Sequence, residues 1–290
     1  MMMRTRIIPP EMLRSLQDAP WIDTTRRPYR EKDTAFVPVR EGFSSDWILP
    51  PRHPYRGRKF TMIGSIAVLQ GKEPTDEEIR ELQEWKEPTA ILWIRSYRGR
   101  ERIPEVRVIS GESSEVCHRE MGMAFWLDPA RVMFSKGNRG EKVRMMELIG
   151  KEERVADMFA GIGYFTIPAA RSGARVHAME INPVAFRYLC RNIRENRVDT
   201  LVTAECGDCQ DLLSGYYNRV IMGHFDSPAL IETAISHTLP GGIIHLHLTA
   251  SGPPEIPGTC RQQLQQENCR RIKKVAPHTW HYVLDLKVAG

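Results

Sequence analysis

Residues 155–180 read VADMFAGIGYFTIPAARSGARVHAME, and this stretch decides the fold. Val155, Met158 and Phe159 supply the apolar run of a buried strand, interrupted at Asp157. Gly161 and Gly163 then give a turn without side chains, where the backbone bends sharply and a ligand can approach closely. Residues 166–172 read as a helix, with Pro168 in its first turns, where a missing N–H does least harm. Gly173 ends that helix, residues 175–179 form the next strand, and Glu180 stands at its C-terminal end. Strand, glycine turn, helix, strand is the opening of a doubly wound α/β sheet. Such sheets bind ligands at the carboxyl ends of their strands, and an acid after the second strand accepts ribose hydroxyls.

A lone GxG occurs in many turns that hold no ligand. This one follows a strand, opens a helix and meets an acid about 20 residues on, the arrangement of a nucleotide crevice. It lacks the third glycine of a dinucleotide fingerprint, and Asp157 before the turn is a poor neighbour for a pyrophosphate. An adenosine ligand carrying a cationic sulfonium and an ammonium suits that charge better, so the stretch favours S-adenosyl-L-methionine over a nicotinamide dinucleotide.

DMFAGIGYFTIPAA, followed by MEINPVAFRYLCRNIRENRV, resembles the class I S-adenosylmethionine-dependent methyltransferase fold as two tRNA-modifying families carry it. These are the tRNA guanine-37 ring-nitrogen methyltransferases and the wybutosine-synthesis aminocarboxypropyltransferases, and the likeness covers roughly residues 60–290. It implies a Rossmann-like catalytic domain with a seven-stranded sheet, joined to a small α+β N-terminal domain. The expected divisions are a basic segment at 1–59, an RNA-side domain at 60–130 and a catalytic domain at 131–290.

Outside that domain, charge is the main signal. The 290 residues carry a formal charge of +5, and residues 1–59 hold twelve Lys/Arg against seven Asp/Glu, while the remainder balances. Trp21, Tyr29, Phe36, Trp47 and Tyr55 are interleaved with those cations, as suits a phosphate backbone with bases to stack on. A solvated arm explains residues 1–30 equally well. In RHPYRGRK, residues 52–59, Arg52, Arg56, Arg58 and Lys59 point to RNA contact. Residues 60–70 read as one strand with Gly64 as a bulge, and Thr75 caps a helix to about Lys86 that buries Ile79, Leu82 and Trp85. Residues 90–94 and 106–109 are further strands, and the turn between them offers Arg98, Arg100 and Arg102 to RNA or to solvent.

FSKGNRGEKVRM, residues 134–145, is on its face a linker entering a helix that buries Val143, Met146 and Ile149. It also resembles the aminocarboxypropyltransferases, in which a serine and a lysine seven positions on meet the cofactor; here these are Ser135 and Lys142. A lysine there implies a charge-assisted contact with the methionine carboxylate. The resemblance further implies cofactor contacts at Asp157, Phe159, Gly161, Gly163 and Glu180, and adenine contacts at Asp208 and Cys209. Cys206 and Cys209 form a CxxC without a second pair or an HxxxH, and His245 and His247 share a strand face without a third ligand, so no metal is expected.

The fourth strand ends in Met222-Gly223-His224. The ring-nitrogen methyltransferases carry Asn-Pro-Pro or Asn-Leu-Pro at this place, whereas the aminocarboxypropyl group likewise ends in Met-Gly. His224 and Asp226 are candidates to face the acceptor base, with a satisfied loop histidine as the plain alternative. Residues 229–238 read as a helix, 239–242 as a turn, 261–274 as a polar helix and 282–288 as a closing strand.

The expected activity is transfer of the 3-amino-3-carboxypropyl group of S-adenosyl-L-methionine to carbon 7 of 4-demethylwyosine at position 37 of tRNA(Phe). Methylthioadenosine is the by-product. The alternatives are guanine-37 methylation and an RNA-binding protein without catalysis. The expected partner is tRNA on its anticodon-loop side, and the chain is expected to be a monomer. With six dispersed cysteines, no apolar run near the roughly 18 residues of a membrane span and no secretory leader, it is expected to be cytoplasmic.

Overall fold

The computed structural model describes residues 3–290 apart from 17, 18, 32, 50–54, 56, 136–138 and 257. The chain divides into two compact units, Met1–Arg56 and Gly57–Gly290. In the first, β1 (Met3–Ile8), β2 (Tyr29–Glu31), β3 (Thr34–Pro38) and β4 (Trp47–Leu49) form an antiparallel sheet in the order β2-β3-β1-β4. Ala35, Val37 and Val39 are buried, so a small apolar centre exists where the sequence showed charge and interleaved aromatics. Strands of three to six residues, drawn together across as much of the chain as separates Met3 from Leu49, leave little local periodicity to read.

The second unit opens with a four-stranded sheet. β5 (Thr61–Ile63) and β6 (Ile66–Gln70) are a hairpin, correcting the single bulged strand expected over 60–70. Gly64 makes that turn at φ 55, where a Cβ would come within 2.8 Å of Val116 Cβ. α1 (Asp76–Lys86) follows, its capping box closed by Glu78 N–H donating to Thr75 Oγ1 and Thr75 N–H donating to Glu78 Oε2. Leu82 is fully buried as expected, but Trp85 lies on the outer side, edge-on to Phe60 and 42% exposed. The hairpin β7 (Ala90–Arg98) and β8 (Ile103–Gly111) completes the order β5-β6-β7-β8, and a separate two-stranded hairpin follows in β9 (Val116–Glu120) and β10 (Met123–Leu127).

α2 (Arg139–Leu148) leads into the larger sheet. Its inward side carries Glu141, Lys142, Arg144 and Met145, while Val143, expected inside, is 36% exposed. The reason is what the helix meets. Arg144 donates to both carboxylate oxygens of Asp285 and to Glu141, and Asp285 in turn receives His245, so polar partners select the buried side.

β11 (Arg154–Asp157), α3 (Thr166–Arg171), β12 (Arg175–Glu180), α4 (Pro183–Glu195), β13 (Val202–Cys206), α5 (Cys209–Leu212), β14 (Tyr217–Met222), α6 (Ile231–Ser236) and β15 (Thr238–Ala250) alternate. β16 (Leu264–Ala276) and β17 (Thr279–Val288) end the chain. The seven strands run β13-β12-β11-β14-β15-β17-β16, parallel up to β15, with β17 antiparallel to both its neighbours. Strand order reverses between β11 and β14, and a crevice opens there at the strands' carboxyl ends.

Two expectations near the end are corrected. Residues 239–242 belong to the continuous strand β15, and the polar helix expected over 261–274 is largely the edge strand β16. Gln, Glu, Arg and Lys favour helix locally, but pairing along nearly the whole of β17 overrides that preference, and the charged side chains suit an exposed edge. No helix among the described residues is long and apolar enough to cross a membrane.

Candidate functional site

The turn from β11 into α3 builds the floor of the site. Gly161 and Gly163 adopt φ 58 and 104, left-handed values that suit glycine, and a Cβ on Gly161 would press to 3.0 Å from the Tyr164 ring. Above this turn lies a cavity of about 390 Å³, within the usual range for small-molecule sites. Of the expected cofactor residues, Ser135, Phe159, Gly161, Glu180, Asp208 and Cys209 line it.

Glu180 projects from the end of β12. Its Oε2 accepts Gly161 N–H at 2.7 Å and its Oε1 accepts Asn182 N–H at 2.8 Å. Burial raises its pKa to about 7, against the pull of those two amides and with a further push from the charges of Asp157 and Glu101. Asp208 caps α5 by accepting Gln210 N–H and takes the Arg100 guanidinium at 2.6 Å. Burial pushes its carboxyl up, but the Gln210 amide and Arg100 prevail and hold it below the ordinary value. Cys209 is buried, and desolvation with the neighbouring Asp208 charge pushes its thiol up to about 12, so it is no thiolate.

Three expected residues lie behind the cavity wall. Gly163 faces Ile167 and Leu189, which a Cβ would meet at 2.8 and 3.2 Å. Asp157 is fully buried; its Oδ2 accepts Thr166 Oγ1–H at 2.7 Å, while Oδ1 has no hydrogen-bond partner. Burial lifts this carboxyl to about 6, partly offset by Thr166 and the Phe159 amide. Lys142 is fully buried, its ammonium 2.5 Å from Glu120 and about 5 to 6 Å from the ring centres of Phe125, Phe134 and Tyr164. Tyr164 stands between Lys142 and the cavity.

His224 and Asp226 both line the cavity. The His224 ring stacks on Phe159 at 5.5 Å, and its Nδ1 accepts Asp226 N–H at 3.2 Å, which leaves the proton of the neutral ring on Nε2. Burial lowers its pKa, against the pull of Asp226 and with added pushes from Arg102 and Arg100.

A second cavity of about 580 Å³ adjoins the first and shares Arg102, Met133, Ser135, Gly223 and His224 with it. Its wall brings Gln70 and Tyr97 from the smaller sheet together with Lys273 from the larger and Phe225 from the loop after β14. None of these four stood out in the sequence, because two sheets distant along the chain must meet before they share a wall. Arg102 stacks over Tyr97, and its buried Nε has no hydrogen-bond partner.

The residues expected to contact RNA are dispersed. Arg52 and Arg56 lie outside the described residues. Arg58 donates to the carbonyls of Gln70 and Lys72 and pairs with Glu78, which fastens the loop before α1. Lys59 is exposed. Arg98 pairs with Glu105 across the β7–β8 hairpin, Arg100 reaches Asp208, and Arg102 lies at the junction of the two cavities.

The first cavity fits an adenosyl sulfonium. Glu180 offers lone pairs beyond the two amides it already accepts, Asp208 is a further acceptor at the end of the neighbouring strand, and Phe159, Ile162 and Leu230 supply apolar wall. The lining sets the carboxyls of Glu101, Glu180, Asp208 and Asp226 against Arg100 and Arg102, with Arg100 paired to Asp208, a balance that favours a cation.

The family model for the TRM5/TYW2 methyltransferase domain matches residues 116–282. A tRNA(Phe) (4-demethylwyosine(37)-C(7)) aminocarboxypropyltransferase of Methanocaldococcus jannaschii is 35% identical over 245 residues, covering 80% of this chain and 98% of that protein. The tRNA (guanine(37)-N(1))-methyltransferase Trm5b of the same organism is 29% identical over 241 residues, covering 79% and 70%. Among solved structures, P. horikoshii TYW2 in complex with MeSAdo is 28% identical with a TM-score of 0.68, covering 81% of this chain and 92% of that one.

Proposed function

The chain belongs to the family of the TRM5/TYW2 methyltransferase domain, and within it we propose that this protein is a tRNA-modifying aminocarboxypropyltransferase. It moves the 3-amino-3-carboxypropyl group of S-adenosylmethionine to carbon 7 of 4-demethylwyosine at position 37 of tRNA(Phe), releasing methylthioadenosine. The observation that carries this reading is the 35% identity to an enzyme of that description across 98% of its length. The end of β14 agrees, since Gly223-His224 stands where ring-nitrogen methyltransferases place their asparagine and proline.

In this reading Glu180 accepts the ribose hydroxyls, Asp208 the adenine amine, and Phe159 packs on the adenosine. The methionine end extends towards Ser135 and the junction of the cavities. The second cavity takes the target base, with His224 presenting Nε2–H and Arg102 its unpartnered Nε. The sulfonium makes each attached carbon electrophilic, so the product depends on which carbon the walls aim at the acceptor. The tRNA approaches from its anticodon-loop side, in the cytoplasm.

Incubation with S-adenosylmethionine and tRNA bearing 4-demethylwyosine, followed by chromatography of the small molecules, tests the reading. Methylthioadenosine is expected. S-adenosylhomocysteine as the main product, with a base that gains only a methyl group, overturns it in favour of methylation.

A further inference from the structure

We propose that Lys273, on the edge strand β16, takes the proton released by the acceptor carbon when the new bond forms; this rests on the second cavity being the seat of the target base. The described residues lining that cavity include no carboxylate. Four side chains there carry exchangeable protons at basic or phenolic groups: Tyr97, Arg102, His224 and Lys273. Arg102 is a guanidinium, which donates hydrogen bonds and has no lone pair to accept a proton. Tyr97 is held as the neutral phenol, because burial raises its pKa despite the hydrogen bond from Gln70 Nε2 and the charge of Arg102. His224 has its Nδ1 lone pair engaged by Asp226 N–H, so the neutral ring can donate from Nε2 but offers no free lone pair.

Lys273 remains. It is half-buried and has no ion pair or hydrogen bond among the described residues. Burial, reinforced by the charge of Lys142, lowers its pKa and favours the free amine. The charged and titratable groups facing it are His281 opposite on β17, Lys142 of α2 with its partner Glu120 of β9, and Arg102, Tyr97 and His224 in the shared cavity; Glu120 is taken up by Lys142 and does not line the cavity.

The step balances. The acceptor carbon bonds to the methylene carbon attached to sulfur, and the carbon–sulfur bond breaks with its electron pair remaining on neutral methylthioadenosine. The acceptor's C–H pair then returns to the ring, and the proton passes to Lys273 Nζ.

Lys273→Arg and Lys273→Ala test the assignment. With cofactor and tRNA binding retained, kcat should fall by about 10²–10⁴-fold in both variants, the usual contribution of a positioned base. The wild-type kcat, at saturating cofactor and tRNA, should rise with pH as Lys273 loses its proton, and this rise should vanish in Lys273→Arg. Added ethylamine should restore part of the Lys273→Ala rate. A Lys273→Arg enzyme with wild-type kcat, or variants that keep the pH rise, overturn the proposal. Wild-type enzyme that releases no methylthioadenosine overturns the functional reading beneath it, a result visible before any variant is made.

Discussion

Arg100, at the tip of the β7–β8 hairpin, sets its Nη2 2.6 Å from Oδ2 of Asp208, the cap of α5. One partner comes from the smaller sheet and the other from the end of β13, so the contact draws the hairpin over the first cavity. Asn182 Nδ2, donating to Glu101 O at 3.0 Å, holds the same turn from the α4 side.

Because Arg100 is well exposed, its pair with Asp208 adds little to stability. Its effect is closure. Arg100→Ala is expected to leave the melting temperature nearly unchanged while speeding release of S-adenosylmethionine, read by stopped-flow dissociation. An unaltered off-rate would mean that the hairpin does not cover the bound cofactor.

A second prediction concerns acid. His245, His247 and His281 are buried, and burial holds all three below the ordinary histidine range, His281 at about 4. Unfolded histidines take up protons below about 6.5, whereas these do not, so their contribution to stability is present above that pH and is lost as pH falls towards the depressed values. Asp157 and Glu180, raised to about 6 and 7, act in the opposite sense over part of the same window. In urea unfolding at pH 7.5 and 5, His281→Gln should lose less stability on acidification than wild type, by up to about 1.4 kcal/mol per pH unit. Equal losses would show that His281 is protonated in the fold.

How far these features could be read from the chain follows from how local their causes are. The Gly161–Gly163 turn and Glu180 were legible because strand, turn, helix and acid follow one another at short spacing. Thr75 and Glu78 were legible for the same reason. β16 was not, since its sequence prefers helix and only β17, reached through the turn at 277–278, makes it a strand. The place of Arg102 depends on a hairpin docking beside β14, and no local pattern encodes that. Lys142 shows the limit of a resemblance: its spacing from Ser135 was plain, but its Glu120 partner lies 22 positions upstream.

That buried pair yields a third prediction. Desolvation lowers the Lys142 pKa while Glu120 supports its charge. Lys142→Met should cost about 3–5 kcal/mol because it strands Glu120, and adding Glu120→Gln should recover part of the loss. Chemical unfolding of the two single variants and the double variant measures the coupling. A Lys142→Met protein of full stability that loses only cofactor binding would restore a direct contact between this lysine and the methionine carboxylate.

Glu180 carries the last prediction. With its pKa near 7, the carboxyl is partly protonated at neutral pH, although Gly161 and Asn182 each donate an amide to it. In the free protein a carboxyl raised from about 4.5 favours folding below that value, and the contribution is lost as pH rises through 7. Ribose hydroxyls donating to this group, beside a cationic sulfonium, favour its ionised form. Binding should therefore expel a proton below about pH 7, and affinity should climb with pH through that window and level off above it. Glu180→Gln keeps the shape without the charge, so its affinity should be flat with pH and weaker by about 1–3 kcal/mol at pH 8, the loss expected for a charged hydrogen-bond acceptor. Calorimetry in buffers of different ionisation enthalpy counts the protons directly. If no proton is released at pH 6 and Glu180→Gln binds as tightly as wild type at pH 8, the ribose lies elsewhere.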